Sequence, residues 1–156
     1  ETLDRLTLHL ADTLRADQPQ LRTARNIYAQ VVLNPHAESW YSQSLDHALD
    51  NYDFTAVMAM PYMEKAADPQ QFFQTLVGRI KDHPGAMERV LFEIQSTDWA
   101  SHRDLDSQQM ARQLQELYQL GVRHTGYYPD NLHRGTPDPD SLRPVFQAQS
   151  SAPQPS

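Results

Sequence analysis

Helical apolar spacing and short β-rich apolar runs alternate four times along this sequence, and that alternation constrains the fold more than any other feature. Leu3, Leu6, Leu10 and Leu14 predict a first helix ending at Asp17 to Pro19, ahead of a strand over Ile27–Leu33. His36–Asp50 reads as a second helix with Tyr41, Leu45, Ala48 and Leu49 inward, and Phe54–Met60, closed by Pro61, as a second strand. Asp68-Pro69 supplies an N-cap and a first-turn proline for a third helix, whose stripe is Phe72, Phe73, Leu76, Val77 and Ile80 and which His83-Pro84-Gly85 stops. Arg89–Gln95 is the third strand. Asp106 or Ser107 caps a fourth helix with Met110, Leu114, Leu117 and Tyr118 inward, and Gly121 ends it before the strand Val122–Tyr128.

Strand starts near Ile27, Thr55, Arg89 and Val122 are separated by 28, 34 and 33 residues, the length of one βα unit with a single crossover helix. Parallel strands follow. The expected fold class is α/β, a (β/α) TIM-type barrel of which about four C-terminal βα units are present, half of the usual eight. An open doubly wound sheet is the alternative, but no Gly-rich loop follows any strand, so neither a dinucleotide fingerprint nor a P-loop is encoded. The domain is expected over residues 1–146, with 147–156, poor in apolar bulk, as a mobile tail. A start at Glu1 with neither Met nor a leader suggests a piece of a longer chain.

With 13 basic against 20 acidic residues the net charge is −7, and only two of the basic residues are Lys, so no basic stripe offers itself to nucleic acid or an acidic bilayer. No apolar run reaches membrane-spanning length. Zero Cys removes disulfides, thiolate metal sites and Cys nucleophiles, the seven His show no HxH or HExxH spacing, and no Ser sits in a nucleophile elbow. No metal ligand set is therefore assigned.

In a parallel barrel, chemistry collects at the C-terminal strand ends. Those positions carry Asn34–Trp40 after the first strand, Pro61–Glu64 after the second, Gln95–Trp99 after the third and Tyr128–Asn131 after the last. Aromatic faces beside hydrogen-bonding groups suit a carbohydrate, since sugar C–H faces pack on rings while hydroxyls need partners, and an amino sugar adds a cation for the ring quadrupole. Trp40 and Trp99 are read as ring platforms or as packing between layers, and Tyr62 and Tyr128 as platforms or as closure of the barrel top. Period-two alternation sends Phe92 and Ile94 toward the helices and Glu93 into the barrel, where it is either a structural ion-pair member or a ligand-binding or acid/base group. Glu64, Asp98 and Asp130 are loop acids. Glycoside hydrolysis needs two carboxyl groups about 5–9.5 Å apart, and no spacing here identifies such a pair.

The strings Ala24–Ala29, Thr55–Tyr62 and Gly126–Asn131, in this order, resemble the C-terminal domain of the PgaB/BpsB-type poly-β-1,6-N-acetyl-D-glucosamine N-deacetylases. The resemblance spans nearly the whole chain and makes it similar to the second half of that family's (β/α)-barrel. It implies binding and hydrolysis of partially de-N-acetylated polymer in biofilm exopolysaccharide processing and export, endo-acting, within a longer periplasmic protein whose outer-membrane association is left open. The groove tryptophans of the family then correspond to Trp40 and Trp99, with Tyr62, Glu64, Tyr128 and Asp130 as further substrate-binding residues. Glu93 is the catalytic candidate within the segment, the main acids being expected upstream of Glu1. The resemblance further implies no cofactor in this segment, a metal ion in the family's separate deacetylase domain, and partnership with that domain and the remaining barrel units. A non-catalytic polysaccharide-binding module guiding polymer to export is the rival reading, and a structural half-barrel without independent activity is a third.

Overall fold

In the computed structural model, which describes residues 2–131 and 133–150, the chain is α/β, with helices packed against a four-stranded parallel sheet. Helix α1 (Thr2–Asp17) leads into β1 (Ala24–Tyr28), followed by α2 (Ala29–Leu33), a 3₁₀ turn (Pro35–Ala37), α3 (Glu38–Tyr41) and α4 (Leu45–Asn51). Strand β2 (Phe54–Met58), α5 (Pro69–Lys81), a second 3₁₀ turn (Ala86–Glu88) and β3 (Val90–Gln95) come next. A two-stranded hairpin, β4 (Thr97–Asp98) with β5 (Arg103–Asp104), precedes α6 (Ser107–Gln119), β6 (His124–Tyr128) and α7 (Pro139–Ser150). The sheet order is β1-β2-β3-β6, every pairing parallel, so consecutive βα units lie side by side as in a barrel wall.

Local chemistry explains most boundaries. Asp68 accepts from the backbone N–H groups of Gln70 and Gln71 at 2.9 and 3.2 Å with Pro69 in the first turn, and Asp106 caps α6 through Gln109 N–H at 2.8 Å. Gly121, at φ 90°, closes α6: its N–H reaches the Tyr118 carbonyl at 2.9 Å and the Val122 N–H reaches that of Leu117 at 3.0 Å, the paired bonds of a left-handed C-terminal cap.

Three predicted segments depart from the structure by more than two residues or in continuity, the other strand ends shifting by one or two. The first strand is Ala24–Tyr28, and Ala29–Leu33, expected to continue it, turns into α2, which buries Ala29, Val31 and Val32. The single helix expected over 36–50 is broken at Ser42, which adopts the left-handed region at φ 49°, and Ser44 then caps α4 through His47 N–H at 3.4 Å. Residues 147–150, expected to begin a tail, complete α7; 151–156 lie outside the described residues.

Among the described residues, helices cover one sheet face only. Ile27, Val57, Val90, Phe92 and Ile94 point into that layer and meet Phe73, Leu76, Ile80, Met110, Leu114 and Leu117, all with 0–1% exposure. Register places Tyr28, Met58, Glu93 and Gly126 in one row across the opposite face, with Asn26, Ala56, Leu91 and His124 in the row below. The leucines of α1 also face outward, Leu3, Leu6, Leu10 and Leu14 being 45–56% exposed. Polar contacts hold α1 instead: the Tyr52 hydroxyl donates to Thr7 at 3.2 Å, Arg15 donates to the Asn51 carbonyl at 2.8 Å, and Asp4 lies 3.8 Å from Arg25.

Because Phe92 is wholly enclosed between sheet and helices, Phe92→Ala is expected to cost about 3–5 kcal/mol. Urea unfolding followed by circular dichroism measures it; an unchanged midpoint would contradict the packing.

Candidate glycan-binding edge at the strand ends

The C-terminal ends of β1, β2, β3 and β6 form one edge, and the side chain of Gln95 organises its middle. Gln95 is fully buried at the end of β3. Its Oε1 accepts from the backbone N–H groups of Tyr62 and Met63 at 2.9 and 3.0 Å, and its Nε2 donates to the Thr97 carbonyl at 2.7 Å. A buried amide with both ends occupied fixes its neighbours, because each broken bond would leave an unpaired polar group in the interior. The loop after β2 is thereby tied to the loop after β3. Ser96 ties that same loop to β6: its N–H donates to the Tyr128 carbonyl at 2.9 Å and its hydroxyl donates to the carbonyl of Pro129.

The ring-bearing residues stand on this frame. Trp99 sits in the turn between β4 and β5, where Asp98 accepts from Ala100 N–H at 3.0 Å and from the Ser101 hydroxyl at 2.6 Å. The Ser101 hydrogen bond, with that of the Ala100 backbone, holds the Asp98 carboxyl below its ordinary value, so Asp98 serves as a turn-former. Trp99 and Tyr128 lie with ring centroids 6.5 Å apart and planes inclined by 33°, 37% and 54% exposed, a shallow two-ring platform joining the β4–β5 turn to the end of β6. Tyr62 is half-buried and its hydroxyl accepts from the Gln109 amide. At the far end of the edge Tyr28 packs on Tyr41 at 4.6 Å, and the adjacent Trp40 on α3 is 90% exposed. The Gln43 amide oxygen accepts from Tyr28 N–H at 3.0 Å and fixes this corner.

The acids fall into different settings. Glu64 is half-buried beside Gln30, whose amide donates to it at 2.7 Å. Burial raises its pKa and the Gln30 bond offsets part of that rise, so Glu64 keeps its proton to a higher pH than an exposed glutamate. Glu93 lies on the open face of β3 and accepts from the Asn26 amide at 3.3 Å across the sheet. Asp130 is exposed just beyond Tyr128. Trp99 and Tyr128 are thus brought together and Tyr62 is joined to their frame through Gln95, while Trp40 belongs to the β1 corner. Sequence reasoning missed Gln30, Gln43, Gln95 and Gln109 as positioning groups. Only Gln95 carried a signal, an amide at the inward-alternating end of an apolar strand. Among the described residues no three His, Asp or Glu side chains gather as a metal site, and no helix is long and apolar enough to cross a membrane.

Parallel helix–strand units with their ring and carboxyl groups on the strand C-termini have the arrangement of a TIM-type enzyme domain. The family model described as hypothetical glycosyl hydrolase family 13 matches residues 1–128, and the chain belongs to that family. It is 38% identical over 146 residues to the poly-beta-1,6-N-acetyl-D-glucosamine N-deacetylase of Escherichia coli K12, and equally to that of E. coli O157:H7. The alignment takes in 90% of this chain and 22% of each relative, so the chain spans about a fifth of their length. Among solved structures it matches the PgaB (BpsB) glycoside hydrolase domain of Bordetella bronchiseptica with a TM-score of 0.86 and 40% identity, over 92% of this chain and 41% of that one.

The Glu64 setting has a pH consequence. A carboxyl whose folded pKa is raised adds stability below its unfolded value, and that contribution is lost as pH rises through the folded pKa. Glu64→Gln is therefore expected to gain stability relative to the parent as pH climbs above 4.5, measured by urea unfolding of both proteins at each pH. A difference independent of pH would contradict this setting.

Proposed function

We propose that the strand-end edge binds partially de-N-acetylated poly-β-1,6-N-acetyl-D-glucosamine, and that the chain contributes this edge to an endo-acting glycoside hydrolase barrel. The observation that carries the reading is the Trp99–Tyr128 platform at the strand ends. The 40% identity to a glycoside hydrolase domain and the name of the E. coli relatives support this reading of the substrate class. In this reading Trp40, Tyr62, Trp99 and Tyr128 face sugar rings, and Asp130 and Glu64 hold amines and hydroxyls. A polymer bearing glucosamine ammonium groups also suits a chain of net charge −7.

Hydrolysis requires a second carboxyl about 5–9.5 Å from the first. Glu93 is the candidate within this chain, but it is bonded to the Asn26 amide and Glu64 to the Gln30 amide, neither to another acid. We assign the partner acid to the remaining barrel units. This segment uses no cofactor in the proposal; a metal ion belongs to a separate deacetylase domain of the whole protein, in the periplasm. The pairing of each acid with an amide equally favours the second reading, a non-catalytic module that guides polymer to export.

Mass spectrometry of partially de-N-acetylated β-1,6-glucosamine oligomers separates the two. Shorter oligomers are expected when the chain is assembled with the remaining barrel units; an absence of cleavage there, with binding intact, would favour the guiding module. Removal of one ring face in Trp99→Ala is expected to raise KM about two- to tenfold, as stacking contributes about 0.5–1.5 kcal/mol, with kcat little changed. An unaltered KM would remove Trp99 from the site.

A further inference from the structure

Tyr62 stands on the loop after β2, midway along the strand-end edge, and its hydroxyl is engaged by the protein on one side only. The loop itself is fixed at several points: Gln95 holds the Tyr62 and Met63 N–H groups, the Lys65 N–H returns to the Tyr62 carbonyl at 3.1 Å with Lys65 in the left-handed region at φ 54°, and the Ala66 N–H reaches the Pro61 carbonyl at 2.8 Å. The hydroxyl is held from a different element. Gln109 is the third residue after Asp106, the cap of α6, a position from which a glutamine ordinarily reaches back to the N–H of the cap residue. Its amide instead crosses to Tyr62, 47 positions away in sequence, and donates to the phenol oxygen. A phenol that receives an N–H keeps its own proton for another acceptor, and no group among the described residues takes it.

We propose that Gln109 is a positioning residue that commits the Tyr62 hydroxyl to donate into the edge, and that the acceptor it meets is the acetamido carbonyl of an N-acetylated unit of the glycan. The proposal rests on the glycan reading of this edge and sharpens it. The two kinds of unit in a partially de-N-acetylated polymer differ at one substituent: an acetamido group presents a carbonyl acceptor, whereas an ammonium presents donors alone. Sugar hydroxyls, which give or take a hydrogen bond, pair with a phenol of either polarity and carry no discrimination. A fixed donor satisfies the carbonyl and leaves both itself and an ammonium unpaired, and an unpaired polar group is what lets a site reject the wrong substituent. Tyr62 thereby selects an acetylated unit at its own position, while Glu64 and Asp130 hold amines beside it. Gln95 gives the loop its place, and Gln109 gives the hydroxyl its direction.

Titration calorimetry of the 156-residue chain with partially and with fully de-N-acetylated β-1,6-glucosamine oligomers tests it. Gln109→Glu replaces the N–H donor by an acceptor of nearly equal shape, at a helix position that suits glutamate. It should weaken the partially de-N-acetylated oligomer about two- to tenfold and should not weaken the other. Tyr62→Phe should weaken the same oligomer and make Gln109→Glu silent in the double variant. Gln108→Glu, the same charge change at the exposed neighbouring position, should leave the preference between the oligomers as it is in the parent. The Tyr62 ¹³Cζ resonance reports the hydroxyl without any glycan, and is expected to move in Gln109→Glu. A resonance that stays in place, or an unaltered preference in a Gln109→Glu variant that binds both oligomers, would overturn the proposal alone. Failure of the parent to bind either oligomer would overturn the glycan reading and the proposal with it.

Discussion

Burial on one face only is the constraint from which the rest of this structure follows. A parallel sheet ordinarily has both faces covered, because the crossover helices or the closing barrel exclude water from each. Here Ile27, Val57, Phe92 and Ile94 are sealed beneath α5 and α6, whereas the row Tyr28, Met58, Glu93 and Gly126 looks onto the open side. That asymmetry gives the strands a core layer that holds them in register, and a second surface free to carry polar and aromatic groups. It also explains why Glu93 is tolerated mid-strand: an amide from Asn26 satisfies it on a face that is not enclosed.

The functional edge depends on a smaller set of interactions. Loops after parallel strands are not joined by the sheet's own ladder, so their relative placement needs other bonds. Gln95 and Ser96 provide them, drawing the loops after β2, β3 and β6 onto one frame. The β4–β5 hairpin, a turn held by Asp98, then raises Trp99 next to Tyr128. The proposed glycan contact needs ring faces held at fixed separations, and the buried Gln95 amide beneath these loops holds them.

Where a residue's local role coincides with its tertiary one, the sequence was a sufficient guide. Asp68-Pro69, Asp106 and Gly121 are helix-end chemistry and act as such, and the alternation through Leu91–Gln95 separates core from open face as period two requires. Ile27–Leu33 misled because its β-branched residues suit either a strand or a short buried helix, and packing chose the helix from Ala29 on. The α1 leucines report an apolar face without saying which neighbour it meets. Helix α7 escaped notice because Pro144 lies inside it and its last turn reads as polar tail. Candidate rings at the strand ends were legible by position, but of the glutamines that set them only Gln95 carried a signal, since most of their partners are distant in sequence.

The chain contains two tryptophans, one at each end of the proposed edge, and their indole N–H signals report on it without assignment of any other residue. Titration of the ¹⁵N-labelled chain with partially de-N-acetylated β-1,6-glucosamine oligomers, followed by heteronuclear NMR, is the most direct test that the strand ends are where glycan lies. The account predicts that both the Trp40 and Trp99 indole signals shift in proportion to bound oligomer, and that a fully acetylated oligomer shifts them less. Binding that leaves both indole signals in place would contradict it.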